Sequence, residues 1–236
     1  MKENITTFIK QFEGYSARET LEMFLKTYKG QVSFSTSFGA EDQVLTDMIF
    51  KIDKEVSIFT LDTGRLPQST YDVMGSTNLK YNRKITVYFP ESKDVEKLYY
   101  EQGANGFYES VQNRKECCYA RKIAPLKRAL NGVDIWITGL RAEQSVTREE
   151  MRLFEWDEGN ALIKFNPLVS WSEKDVWEYI KNNKVPYNAL HDKGYPSIGC
   201  EPCTRAVKEG EDIRSGRWWW ENSRHKECGL HIKDKK

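Results

Sequence analysis

Apolar positions in the first thirty residues recur at helical spacing. Phe8 and Phe12 lie four apart, and Leu21, Phe24 and Leu25 keep the interval until Lys29-Gly30 ends it. A helical lead-in is predicted over residues 1–30. The period then changes to two: Val32, Phe34 and Thr36 alternate with serines, as in a short strand. The run Ser35-Thr36-Ser37-Phe38-Gly39-Ala40-Glu41-Asp42 interrupts it, and Val44, Leu45, Met48 and Ile49 restore helical spacing. The same unit repeats, with strands predicted at residues 56–61 and 85–89 and helices after Pro67 and from about Asp94 to Gln102. A fourth strand is expected at residues 133–138. Such alternation predicts an α/β fold with a mostly parallel, doubly wound sheet over roughly residues 30–170.

Two further helices follow from local signals. One is expected to start near the adjacent Cys117 and Cys118, with Pro125 ending or kinking it early. The other is announced by Ser172-Glu173-Lys174-Asp175, a capping signature that precedes Val176, Trp177 and Ile180 on one helix face. Beyond it the chain reads as irregular. Residues 222–236 hold only Leu230 and Ile232 as aliphatics among many charges, so a mobile tail is expected there. The organisation read from these patterns is a lead-in (1–30), an α/β domain (30–213) and a C-terminal segment (214–236).

Charge narrows the classes of partner. With 36 lysines and arginines against 35 aspartates and glutamates in 236 residues, no basic field exists for nucleic acid or an anionic membrane surface. Any anionic ligand has to be bound locally. The N-terminus lacks an apolar run suited to secretion, and no stretch nears the roughly 18 apolar residues of a membrane span. A soluble cytoplasmic protein is the expectation.

Five cysteines, two of them neighbours, make a poor disulfide framework. Cys117-Cys118 and Cys200-Glu201-Pro202-Cys203 form two close pairs that together supply four thiolates, a donor set for structural zinc or a [4Fe–4S] cluster. One tetrahedral ion needs both sulfurs of a pair to converge, which adjacent cysteines do badly; a cubane offers separate iron corners. The spacing favours the cluster over zinc, over buried cysteines acting as small hydrophobes, and over a redox C-x-x-C. Cys228, in Arg224-His225-Lys226-Glu227-Cys228, has neighbouring cations that favour its thiolate and reads as a nucleophile, against the plainer reading of an exposed thiol without a task.

The loop bearing Ser35, Ser37 and Gly39 runs from strand to helix, where backbone amides and hydroxyls receive a phosphate or sulfate. Leu61-Asp62-Thr63-Gly64-Arg65 and Thr138-Gly139-Leu140-Arg141 follow two other strands at the same predicted sheet edge. Lys122, Arg141, Arg148, Arg214 and Arg217 are candidates for an anion clamp. Trp218-Trp219-Trp220 reads first as packing, and after Arg217 also as the anchor of a flap.

These segments, with Cys117–Lys122, Tyr195–Arg205 and Lys226–His231, resemble the assimilatory adenylyl-sulfate reductases, within the wider family that includes phosphoadenylyl-sulfate reductases. The likeness covers nearly all the chain after residue 30. It implies a core like that of the adenine-nucleotide α-hydrolases, whose ATP-cleaving members carry Ser-Gly-Gly-x-Asp-Ser where this chain has residues 35–42. Phe38 replaces a glycine there, which argues against ATP cleavage. The resemblance also implies [4Fe–4S] ligation by Cys117, Cys118, Cys200 and Cys203, phosphosulfate contacts from Lys122, Arg214 and Arg217, and nucleophilic attack by Cys228. A second thiol is then needed to release sulfite. With the other four cysteines committed, the expected donor is thioredoxin or a related dithiol protein. Three alternatives stay open at this point: phosphoadenylyl-sulfate as substrate, an ATP-dependent thiolation enzyme, and a zinc-stabilised binding module.

Overall fold

The computed structural model describes residues 5–144 and 151–221. Arg148 and the segment 222–236, with Cys228 and the predicted mobile tail, lie outside the described residues.

The lead-in forms two helices, α1 (Ile5–Gln11) and α2 (Ala17–Thr27). Ser16 caps α2 reciprocally with Glu19. Then come β1 (Val32–Ser35), α3 (Ala40–Ile52), β2 (Ser57–Leu61), α4 (Gln68–Tyr81), β3 (Thr86–Tyr88) and α5 (Ser92–Gln102). Two helices, α6 (Val111–Cys118) and α7 (Ala124–Ala129), lead to β4 (Ile135–Ile137). A hairpin of β5 (Phe154–Asp157) and β6 (Leu162–Phe165) precedes α8 (Glu173–Asn183), which Ser172 caps in the predicted box with Asp175.

The six strands form one sheet in the order β3-β2-β1-β4-β6-β5, parallel except for the β5 edge. The chain steps outward from β1 to β3 and then crosses back to place β4 on the other side of β1. The carboxyl ends of β1 and β4 therefore diverge, which makes the crevice where open α/β sheets bind ligands.

Side-chain parity divides the core. Phe34, Ile58, Ile135, Ile137, Ile163 and Phe165 face a large cluster with α2, α3, α4 and α8. Phe59, Trp136 and Leu162 face the opposite way, onto Leu126 and Ala129 of α7 and Leu130 just after it. The lead-in is part of the first cluster: Phe8, Phe12 and Phe24 pack on Phe154 with ring centroids 5.0 to 5.7 Å apart. Offset and edge contacts of this kind add to apolar burial.

Two expectations need correction. The cysteine helix starts at Val111, capped by Ser110, and the paired cysteines stand at its end rather than its start. Pro125 does not end it either, because a π-helical turn, Tyr119–Ile123, widens the helix and α7 resumes with the proline in its first turn, where a missing N–H is tolerated. The β5–β6 hairpin was not anticipated.

Candidate active site

Three strand ends meet at the crevice. After β1, Ser37 donates from its backbone N and its Oγ to Asp42 Oδ2, both at 2.6 Å, which folds the loop back onto the first turn of α3. Burial pushes the Asp42 carboxyl up to about 6 in spite of the two Ser37 bonds, and Glu41 adds to the rise. Ser35 Oγ accepts from Trp136 Nε1 at 2.7 Å, and Gly39 caps α3. Phe38, the departure from the glycine-rich loop, takes φ +60 with its ring buried. The loop thus keeps the left-handed backbone that glycine favours, and only the side chain differs, turned into the core.

Gly139, after β4, packs directly on Asp42, and a Cβ there would overlap the carboxylate. Arg141 faces inward rather than onto open space: Nε donates to Glu41 Oε1 and Nη1 to Glu143 Oε2, each at 2.8 Å, and Nη1 also reaches the Trp171 carbonyl at 3.2 Å. It ties the β4 loop to α3 and the start of α8.

The loop after β2 joins this crevice to the cysteines. Leu61 ends the strand, and Asp62 Oδ1 accepts from the Gly64 N–H and from Tyr71 Oη. Thr63 Oγ1 lies 3.2 Å from Cys200 Sγ, and the Thr63 carbonyl accepts from Arg121 Nη1 at 2.6 Å. The Glu201 N–H donates to the Arg65 carbonyl at 2.8 Å. One five-residue turn is thereby stitched to both cysteine segments.

All four described cysteines are free thiols lining one cavity, together with Arg65, Arg114, Arg121 and Lys122. Burial raises the Cys117 thiol and pushes Cys203 up to about 12. Cys200 is also raised by burial, but Lys122, the Thr63 hydrogen bond, Arg217 and Arg121 outweigh this and bring it below the usual thiol value. Among the described residues, no three His, Cys, Asp or Glu side chains are grouped to hold one metal ion. Trp218 and Trp220 pack in the same cluster, and their buried indole N–H groups have no partner among the described residues.

The segment after the second pair returns alongside it. Thr204 bridges Arg217, with Arg205 N donating to Gly216 O and Trp218 N to Cys203 O. A turn closed by Arg217 N to Arg214 O fixes the two arginines relative to each other. Arg217 is buried over the Trp218 ring at 4.8 Å, against Gly199, where any Cβ would overlap the guanidinium. Lys122, on the π-turn, lines the cavity.

The sequence reading missed Thr63, Arg114, Arg121 and Glu221. Spacing held the signal for two of them: Arg114–Cys118 and Cys117–Arg121 are each four apart, so each cysteine of the pair shares a helix face with an arginine.

Strand order and switch-point loops define a doubly wound, mostly parallel α/β fold with its ligand crevice beside β1. FMN adenylyltransferase from Candida glabrata in complex with FAD and inorganic pyrophosphate has this fold, with a TM-score of 0.55 over 98% of this chain and 86% of that one at 17% identity. The chain belongs to the phosphoadenosine phosphosulfate reductase domain family, which matches residues 31–206. It is 53% identical to the adenosine 5'-phosphosulfate reductase of Allochromatium vinosum over 86% of this chain and 79% of that one. The Neisseria meningitidis serogroup B protein of the same name is 48% identical over 90% and 88%. A crystal structure of phosphoadenylyl-sulfate reductase from Candida auris, a phosphate complex, superposes with a TM-score of 0.73 at 30% identity over 88% and 98%.

Proposed function

We infer that this chain is an oxidoreductase that reduces adenosine 5'-phosphosulfate to sulfite and AMP in sulfate assimilation. The observation that carries the reading is the loop after β2, whose Thr63 contacts Cys200 while its start continues the carboxyl end of β2, beside β1 at the sheet crevice. Nucleotide and sulfur chemistry are adjacent. The names of the relatives point to the same substrate.

In this reading the crevice loops at Ser35–Gly39, Leu61–Asp62 and Gly139 receive the nucleotide, and Arg141 holds two of those loops together through Glu41. Lys122, Arg214, Arg217 and Arg148 are assigned to the phosphosulfate, where cations stabilise the charge that develops on the departing phosphate. The Cys228 thiolate attacks the sulfur, the S–O bond to AMP breaks, and Cys228 S-sulfonate and AMP result. A thiolate of a dithiol protein such as thioredoxin then attacks Cys228 Sγ and releases sulfite. Its second thiol resolves the mixed disulfide, so the dithiol supplies both electrons. The reaction is assigned to the cytoplasm, where reduced dithiols are maintained.

Cys117, Cys118, Cys200 and Cys203 would hold a [4Fe–4S] cluster. Three features fit it: four sulfur donors lining one cavity, the cations Arg65, Arg121 and Lys122 at its wall, and two buried indole N–H groups, without a partner among the described residues, suited to sulfur acceptors. When bound it would supply a fixed electrostatic wall beside the anion and no electrons.

The test is anaerobic assay of sulfite and AMP with reduced thioredoxin, adenosine 5'-phosphosulfate and its 3'-phosphorylated analogue compared side by side. Sulfite from the first, lost in Cys228→Ser, with iron and sulfide near four each per chain, is the expected result. A colourless zinc protein that releases no sulfite would overturn it.

A further inference from the structure

Glu221 lies seven residues before Cys228, and its carboxylate is gripped from both sides. Arg114 Nε donates to Oε1 at 2.8 Å and Nη2 to Oε2 at 2.9 Å, with 1% of the arginine and 4% of the glutamate side chain exposed. The fork fixes the carboxylate in plane as well as in distance. Arg114 also lies over the Trp218 ring at 4.8 Å and hydrogen-bonds the Cys118 side chain. The Glu221 N–H closes the end of the segment by donating to Trp218 O at 2.8 Å.

A buried ion pair stabilises a fold poorly, because desolvating both charges offsets most of their attraction, and apolar side chains of similar volume do as well or better. What such a pair supplies is a fixed geometry. Here it links a helix bearing two cavity cysteines to the stretch of chain from which Cys228 departs. Seven residues span at most about 25 Å when fully extended, so a fixed root sets an upper limit on the distance of Cys228 from Glu221. Confinement of this kind raises the effective concentration of a tethered group.

We propose that Arg114 is a positioning residue, which fixes the root of the C-terminal segment to α6 through Glu221 so that the Cys228 thiolate is delivered to the phosphosulfate. This rests on the reading of Cys228 as the nucleophile. Arg114 neither touches the nucleotide nor gives up a proton in this role.

The experiment is a rapid-quench single turnover of holoenzyme with adenosine 5'-phosphosulfate and no thioredoxin, following AMP release and Cys228 S-sulfonate by mass spectrometry. Arg114→Met alone strands a buried carboxylate and is a folding risk, so the informative variant is Arg114→Met/Glu221→Met, which leaves neither charge unpaired. The double variant is expected to keep its AMP affinity within twofold and its melting temperature within a few degrees, while S-sulfonate formation per bound iron slows at least tenfold. Trypsin should cut at Arg224 and Lys226 several times faster. Wild-type S-sulfonate rates in the double variant would overturn the role of Arg114 alone, as would a slowing fully accounted for by lost iron or nucleotide affinity. A wild-type enzyme that releases AMP without sulfonating Cys228 would overturn the nucleophile reading and this role with it.

Discussion

The nucleotide crevice and the cysteine cavity share one loop yet are built on different principles. The crevice comes from strand ends: bonds within its loops are short-range, Ser37 to Asp42 across five residues and Asp62 to Gly64 across two, and Arg141–Glu41 ties loops that the sheet already brings together. Once the sheet has formed, these loops are largely determined. The cavity draws on α6, the π-turn, the second cysteine pair and the 214–221 segment, joined by contacts such as Arg114–Glu221 across 107 residues. Its cysteines pack with Phe107, Trp218 and Trp220, burial raises the Cys117 and Cys203 thiols, and Arg65, Arg121 and Lys122 stand at the same wall. On the proposed reading, the fold specifies where the nucleotide goes, whereas the sulfur side depends on the cluster it would hold.

Removing one sulfur ligand should separate the two regions most sharply. Cys203→Ser is expected to lose most of its iron and more than a hundredfold in sulfite formation, while far-ultraviolet circular dichroism and AMP affinity, measured by calorimetry, stay within about twofold. Loss of AMP binding in step with iron would erase the distinction.

The crevice has its own pH signature. A carboxyl raised from 3.8 to about 6 by folding holds its proton more tightly in the native state, so its contribution is present at low pH and is lost as pH rises through about 6. Urea unfolding should show a loss of up to about 3 kcal/mol between pH 4 and 6 from this group. Asp42→Asn, which can still accept from Ser37, should flatten that slope and be the more stable protein above pH 6. An unchanged slope would mean that Asp42 is not the group responsible.

Gly139→Ala places a methyl group on the Asp42 carboxylate and should destabilise the chain by about 2 kcal/mol, read from the urea midpoint at constant slope. The matching change on the sulfur side, Gly199→Ala, displaces the Arg217 guanidinium instead. It should weaken nucleotide phosphosulfate binding about tenfold, near 1.4 kcal/mol, with little change in the unfolding midpoint. If both glycine variants act only on stability, the two regions are less distinct than their construction suggests.

How legible each region was follows from the same contrast. Period-two runs and the Ser172 capping box gave away β1 to β4, α3, α4, α5 and α8 because each signal is complete within a few residues. The β5–β6 hairpin escaped because each strand is only four residues long; Lys164 within it is buried, with its ammonium 5.6 Å from the Trp136 ring centroid. Helix α6 carries no apolar stripe, so only the Ser110 cap marked its true start. The cysteines were recognisable by type and spacing. The acceptors that occupy Arg141, and the partner of Arg114, are tertiary facts that no local pattern encodes.

The π-turn at Tyr119–Ile123 has a genetic corollary. Such a turn is equivalent to one residue inserted into an ordinary helix, and each residue advances the helical phase by roughly 100°. Deleting a single codon within it would give a smoother helix and a worse protein, because everything downstream, beginning with Pro125 and the face of α7 that covers the sheet, would be rotated relative to Cys117 and Cys118. The segment between the paired cysteines and β4 should therefore accept substitutions far more readily than changes in length.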